Sequence, residues 1–401
     1  MDGRRPQPSF GLAVLLTSLV AFGPMSTDMY LPSLPDLTTI FQTSVARVQL
    51  SLSFFVGGFA LSQLFYGPLS DRFGRRPVLL GGLTLYCLAT AGCLWAASIE
   101  ELIAGRFFQA LGGGAGAVVG RAIVRDVWGR DGAARMFAYL SSAMALAPLM
   151  APFLGGALHA AFGWQANFLV LVGFGLFVLV VAGVTLKESN AEPDVLALNP
   201  RRMVGNYFFL LKDRTFRGYA LAAASSFGGL FAFISGSSFT LIDVLGLRPE
   251  TFGFGFGVAV GGYILGAFGG GRLSHRLNVK TKVRLGVMIG LIAGCLGAGL
   301  AWSGVEGLAA VLGPICLYFV GSGLVMPNSM AGAVGPFPQM AGAASALIGF
   351  MQLSVGAVAG AAVGLLFDGT TRPMPTVIAV MAGLAFLSYW LVVARTNPER
   401  E

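Results

Sequence analysis

Gly67-Pro-Leu-Ser-Asp-Arg-Phe-Gly-Arg-Arg-Pro77 is echoed 204 residues later by Gly271-Arg-Leu-Ser-His-Arg276. Each stretch follows an apolar run of about 20 residues, long enough to cross a hydrocarbon core of roughly 30 Å. A six-residue echo with four identities is short. The equivalent place of the two stretches, half a chain apart, makes them the mark of a duplicated unit. Working outward from the two copies, apolar runs lie near 10–34, 48–66, 78–97, 101–124, 136–158 and 166–186. In the second half they lie near 218–240, 252–271, 284–302, 307–329, 342–367 and 376–394. The one long polar stretch, Lys187 to Arg217, separates the halves. The reading is an all-α polytopic membrane protein with 12 transmembrane helices in two pseudo-symmetric six-helix bundles. Residues 1–190 form the first bundle, 191–216 a linker and 217–401 the second.

Composition excludes the main alternatives. Hydrophobic residues make up 55% of the 401 and charged residues only 11%, against roughly 25% charged in a soluble domain. A soluble enzyme, a disordered chain and a secreted disulfide scaffold are all ruled out. Cys87, Cys93, Cys295 and Cys316 sit in apolar runs without paired or metal-ligand spacing, as small hydrophobes do. The net charge of +8 is scattered, with no basic face interleaved with aromatics, so nucleic acid is not a partner. Orientation explains the charge instead. Of the 26 lysines and arginines, Arg47, Arg248 and Arg372 fall on one side, and Arg106 and Arg121 fall within the fourth span. The other 21 lie on the opposite side, which places both termini in the cytoplasm. The first run lacks a small-x-small cleavage site and reads as an uncleaved span.

An ionisable side chain inside the hydrocarbon region is costly and defaults to a functional hypothesis. Asp28 and Arg106 each lie about five or six residues from the outer end of their span, roughly 8–9 Å deep at the helical rise. A carboxylate facing a guanidinium at matched depth lowers the cost of both. A static structural pair and a protonation switch are the two readings, and the switch is favoured. Gln109, three residues beyond Arg106, shares its helix face and holds either the guanidinium or a substrate. Arg121, one turn before Arg125, either snorkels or contacts substrate.

The Gly67–Pro77 stretch has its own logic. Gly67 and Gly74 permit a tight turn, and Asp71 suits the positive end of a helix, where it can accept backbone N–H bonds. Arg75 can pair with Asp126 at the end of the fourth span, beside Arg72 and Arg76. Together these make a breakable polar latch on the inner face. In the fifth span, Pro148 and Pro152 remove two helix hydrogen bonds on one face, and Gly155 and Gly156 follow one turn on. That combination shapes a gate. Glycine totals 58 residues, and its four-residue spacing in the eighth span suits close helix packing. His159 and His275, the only histidines, are expected to have no carboxylate within reach, so no catalytic constellation forms.

These residues resemble a known family. Gly67–Val78 resembles the loop 2–3 signature of the major facilitator superfamily, and Arg106-Phe-Phe-Gln109 the fourth-span motif of its proton-coupled members. Pro148 to Gly156 is similar to the fifth-span motif of its antiporters, with Ala151 in place of a usual glycine. Thr27-Asp-Met-Tyr-Leu-Pro-Ser-Leu-Pro35 and Arg121-Ala-Ile-Val-Arg-Asp126 resemble the Bcr/CflA group of 12-span drug:proton antiporters, associated with bicyclomycin and chloramphenicol resistance. The resemblance implies the major facilitator fold and alternating access around a central cavity. It makes Asp28 the proton and substrate acid, Arg106 its partner, and Asp71, Arg75 and Asp126 the inner charge relay. Ala110 and Ala151 are mild departures from the family's pattern. His275 in place of an aspartate weakens any second latch.

The expected function is proton-coupled efflux of small amphipathic drugs, as a multi-pass monomer of the bacterial inner membrane. The proton gradient is the energy source, and no cofactor or metal is called for. The cavity is expected to be mostly apolar, lined by Tyr30, Gln63, Gln109, Tyr139, Phe231, Met326, Asn328 and Gln352. Two alternatives stay open: a proton-coupled uptake carrier for a sugar or metabolite, and a non-transporting membrane scaffold or sensor.

Overall fold

A computed structural model describes residues 8–273 and 276–395, so Ser274 and His275 of the second-half echo lie outside the described residues. Among the described residues there are helices and no strands. The first half comprises α1 (Phe10–Asp28), α2 (Leu34–Ile40), α3 (Val45–Phe73), α4 (Arg75–Leu94), α5 (Ile99–Phe162) and α6 (Gln165–Thr185). The second comprises α8 (Arg214–Ser238), α9 (Phe252–Arg272), α10 (Val279–Trp302), α11 (Leu308–Val334), α12 (Ala341–Leu366) and α13 (Pro373–Leu391). Between them lies α7 (Pro200–Lys212), an amphipathic helix inside the stretch read as plain linker. Eleven helical segments among the described residues are long and apolar enough to cross a membrane, and Leu146–Phe162 is a shorter apolar helix. Broad apolar faces such as Phe177, Val180 and Val184 on α6 stay exposed, as lipid-facing surfaces do.

Several turns are tighter than the sequence suggests. The fourth and fifth spans join without a polar loop, because α5 reverses at Gly129, whose φ of +64° is a left-handed value that glycine reaches without strain. The Gly67–Pro77 stretch is mostly helix: α3 runs through Gly67 and Pro68 to Phe73, and only Gly74 (φ +95°) leaves the helical region before α4. In the first span, α1 ends at Asp28, and a 3₁₀ turn at Leu31–Ser33 leads into α2. Pro32 and Pro35 supply no backbone N–H there, which accounts for the break.

The chain ends of the helices define a linker end and a far end. The far end is closed between the bundles. Gln49 of α3, fully buried, donates from Nε2 to the Ser235 carbonyl of α8 at 3.3 Å. The Phe153 ring of α5 meets Phe254 of α9 edge-on, with centroids 4.8 Å apart. Gly156 lies directly against the Pro249 carbonyl, so close that an added Cβ would stand 2.3 Å from it. Gly155 makes the same kind of contact with the backbone of Met29.

Candidate functional site

Arg106 is fully buried on α5. Its guanidinium lies 4.1 Å from the centre of the Phe55 ring, 4.8 Å from Tyr30 and 5.8 Å from Phe168. Ring faces carry negative charge density, so each attracts a cation, by about 2 kcal/mol or more where both are desolvated. One nitrogen, Nη1, donates to Gln109 Oε1 at 2.6 Å, and Gln109 Nε2 donates to Thr90 Oγ1 at 2.9 Å. The i, i+3 spacing brings Arg106 and Gln109 together as the sequence indicates. Thr90 in turn bonds the Tyr86 carbonyl, and the Tyr86 hydroxyl meets Ser26 Oγ at 2.7 Å. Among the described residues, Nε and Nη2 of Arg106 have no hydrogen-bond partner.

The expected Asp28–Arg106 pair is not formed. Asp28 is buried, with 3% of its surface exposed, but among the described residues its side chain enters no ion pair and no hydrogen bond. The reason is angular. Ser26 and Tyr30, one turn apart, face the Tyr86–Arg106 network, and Tyr30 also bonds Ser51 at 3.0 Å. Asp28 lies two residues beyond Ser26, about 200° round the helix at 3.6 residues per turn, and Tyr30 follows only after α1 has ended. Matched depth is legible in the sequence; the direction in which Asp28 points depends on how α1 seats in the bundle. Asp28 remains the only aspartate or glutamate in the buried class among the described residues.

At the linker end, Arg75 gathers the first-half latch residues. Its guanidinium reaches Asp71 at 2.5 Å, Ser70 at 2.7 Å and Asp126 at 3.0 Å. The helix-start role expected of Asp71 belongs to Glu188 instead. The Glu188 carboxylate accepts from the backbone N–H of Arg75 at 2.8 Å and of Arg76 at 3.0 Å, and it fills the space a side chain at Gly74 would need. Ser189 bonds Asp126, while Asn190 and the Asp194 amide bond the Asp71 carbonyl. The latch therefore holds the polar stretch that follows α6, Glu188 to Asp194, against the first bundle. Sequence reasoning missed Glu188, Ser189, Asn190 and Asp194, because a polar stretch with neither period nor apolar stripe reads as solvated chain. Arg72 stacks on Phe73 and Arg76 bonds the Gly183 carbonyl.

A cavity of about 390 Å³ opens at the same end between the bundles. Its walls include Gln63, Asp71, Arg75, Arg121 and Arg125 from the first half, Asp194, Arg202 and Tyr207 from the linker and α7, and Ala341, Gly342, Ala343, Ser345 and Ala346 from the start of α12. It is more charged than the apolar cavity expected. Of the expected lining residues only Gln63 faces it, with its Oε1 accepting from Arg121 Nη2 at 2.9 Å. Tyr30 and Gln109 are fully buried around Arg106, and Phe231 is buried beside Gly356 and Gly360. Asn328 bonds the Leu324 carbonyl in its own helix, Tyr139 is exposed elsewhere, and Met326 and Gln352 are half-buried outside the cavity. Aromatic and amide residues were placed there by type, whereas the linker folding back supplies much of the actual wall. At the far end, His159 does meet a carboxylate, contrary to expectation. Its Nε2 lies 2.8 Å from Asp36 Oδ2, because the turn at Leu31–Ser33 packs on α5 and brings the start of α2 within reach.

Comparison with known proteins agrees with this architecture. The model of the Major Facilitator Superfamily matches residues 16–361. The Bicyclomycin resistance protein homolog of Haemophilus influenzae is 30% identical over 399 residues, 98% of each chain. Multidrug resistance protein D of Escherichia coli is 31% identical over 97% of each, and an MFS-type transporter of Bacillus subtilis is 34% identical over 94% of each. A bacterial homolog of the human lysosomal transporter Spinster, solved inward-facing and unoccupied, superposes with a TM-score of 0.76 at 16% identity, covering 96% of this chain and 98% of its own. A duplicated six-span plan, a cavity between bundles and near-full-length relatives converge on one conclusion: this chain belongs to the major facilitator superfamily, and it is a membrane transporter, not an enzyme.

Proposed function

We propose that this transporter exports small amphipathic compounds from the cytoplasm in exchange for protons, from the inner membrane of a bacterium. The linker end faces the cytoplasm in this reading, which accords with the bias of the lysines and arginines. One observation carries the proposal most: a cavity of about 390 Å³ is open at the linker end while the far end is sealed. That volume lies in the range for drug-sized ligands, and access from one side only is what alternating access requires. The relatives named for bicyclomycin and multidrug resistance support export over uptake.

Asp28 is the proton-carrying acid in this scheme. It is buried near the sealed end with no cation bonded to it among the described residues. Gln109 and the three rings hold Arg106 ready, with two free N–H positions for a carboxylate or substrate when α1 turns. Closing the linker end would bring the Asp71 region against the start of α12, since both already line one cavity. Gly155, Gly156, Pro148 and Pro152 serve the opposite gate.

Reconstituted vesicles test the scheme. An imposed pH gradient should drive chloramphenicol flux, and Asp28→Asn, which keeps shape but not titration, should abolish the driven component while leaving a folded protein. Full proton-driven flux by Asp28→Asn would remove Asp28 from the scheme.

A further inference from the structure

The charges that line the cavity do not balance. Four guanidinium groups face it, Arg75, Arg121, Arg125 and Arg202, against two carboxylates, Asp71 and Asp194. Both acids are already engaged, Asp71 by Arg75 at 2.5 Å and Asp194 by Arg202 at 2.8 Å. Arg121 and Arg125 remain. They lie one turn apart on one face of α5, and among the described residues neither has a carboxylate within ion-pair distance. The side-chain partner of Arg121 is the neutral amide of Gln63.

Orientation alone explains an arginine at the mouth, such as the exposed Arg125. It does not explain Arg121, eight residues from the reversal at Gly129 and so roughly 12 Å further up the helix. A guanidinium there is costly to desolvate unless an anion meets it. The opposite wall adds the same sign. It is the first turn of α12, with Ala341, Gly342 and Ala343, no acidic residue and no side-chain cap on its N–H groups. An uncapped helix N-terminus carries a partial positive charge.

We propose that the exported compound is an amphipathic anion, a carboxylate, sulfonate or phosphate on an apolar body, whose charged group seats between Arg121 and Arg125 and the start of α12. The inference rests on the export reading and narrows its substrate. A bidentate guanidinium contact suits a planar carboxylate. The apolar body would lie toward Val118, Ala122 and Phe137 on the same wall.

Three probes that share one indole body isolate the charge: indole-3-acetate, indole-3-acetamide and tryptamine. Each is titrated calorimetrically into the purified full chain in uncharged maltoside micelles. Indole-3-acetate should bind at least about tenfold more tightly than the amide, as a charged hydrogen bond allows, with tryptamine weakest. Arg121→Gln/Arg125→Gln should erase that preference while holding amide affinity within about threefold, and Arg121→Lys/Arg125→Lys, which keeps the charges but not the planar fork, should retain part of it. The retained amide affinity and the lysine variant both guard against mere misfolding. Equal binding of all three probes, tightest binding of tryptamine, absence of indole-3-acetate binding, or a preference that survives in the double glutamine variant would each overturn the proposal. A lipid phosphate offers the same chemistry, so the titration is repeated in nanodiscs. Binding retained in both phosphatidylcholine and phosphatidylglycerol discs supports a soluble substrate. Loss in phosphatidylglycerol alone assigns the pair to lipid and overturns the assignment to the exported compound. No gradient is used, so a failed preference leaves proton-driven export standing, and a failed flux assay leaves the binding order intact.

Discussion

Arg106 is a buried cation held by ring faces and one amide, and that arrangement is metastable in a useful sense. The rings and Gln109 offset part of its desolvation, yet two of its nitrogens stay without hydrogen-bond partners among the described residues. A carboxylate arriving there would gain charged hydrogen bonds of about 1.5–3 kcal/mol each. Double-mutant cycles on unfolding in micelles should therefore find Arg106 coupled to Phe55 by about 1–2 kcal/mol. Coupling of Arg106 to Asp28 should stay below about 0.5 kcal/mol in the same state. The reverse order would mean that the carboxylate already meets the guanidinium at rest. Both residues and Gln109 were legible in the sequence, since an ionisable group in an apolar run stands out. Phe55 and Phe168, which face Arg106 from other spans, and Thr90, which bonds Gln109, were not, because an aromatic or threonine there reads as packing.

Single glycines and one linker acid fix how the helices meet. Glu188 caps two N–H groups at the start of α4 and occupies the space above Gly74, so it ties the linker to the latch. Glu188→Ala should cost about 0.5–2 kcal/mol, the usual range for a lost helix cap. It should also expose the linker, read as faster trypsin cleavage at Arg201 and Arg202. An unchanged cleavage rate would show that the linker is held elsewhere. Gly155 and Gly156 are adjacent but differ in consequence. Gly155 meets Met29 within the first bundle, whereas Gly156 meets Pro249 across the bundle interface. Gly156→Ala should therefore loosen the far-end seal. Spin-label distances between the ends of α5 and α9 should lengthen or broaden, and a distribution identical to that of the unsubstituted protein would mean the seal lies elsewhere. The proline–glycine pattern announced a gate in the sequence, but which glycine crosses between bundles depends on the turn after α8. Neither the turn at Gly129 nor α7 was visible as such: one residue with positive φ does the work of a loop, and a short amphipathic helix hides in a polar stretch.

For the molecule as a whole, duplication, span count and charge bias were all legible, because each is a property of many residues summed. The charge of the cavity was not, since the linker and α7 build part of its wall and its acids are neutralised only in three dimensions. That charge sets the energetics of transport. Asp28 is the only buried acid among the described residues, so one proton per cycle is expected. Inward movement of that proton with outward movement of a neutral compound carries one net charge. A monocation leaves none, and a monoanion leaves two. The membrane potential supplies about 2.3 kcal/mol per charge per 100 mV, and one pH unit supplies about 1.4 kcal/mol. At roughly 100 mV and one unit, a monocation reaches a gradient of about tenfold and a neutral compound about 500-fold. A monoanion, driven by both charges, reaches on the order of 10⁴-fold. Vesicles that hold the reconstituted protein can report both quantities, with current giving charge and labelled substrate giving turnover. The expected ratios of charge to substrate are two for indole-3-acetate, one for indole-3-acetamide and zero for tryptamine, wherever each is transported. A ratio of two for the neutral amide would mean that a second acid titrates in each cycle. The Asp36–His159 pair at the far end, in which only the carboxylate is exposed, would then be the first place to look, and Asp36→Asn should bring the ratio back to one.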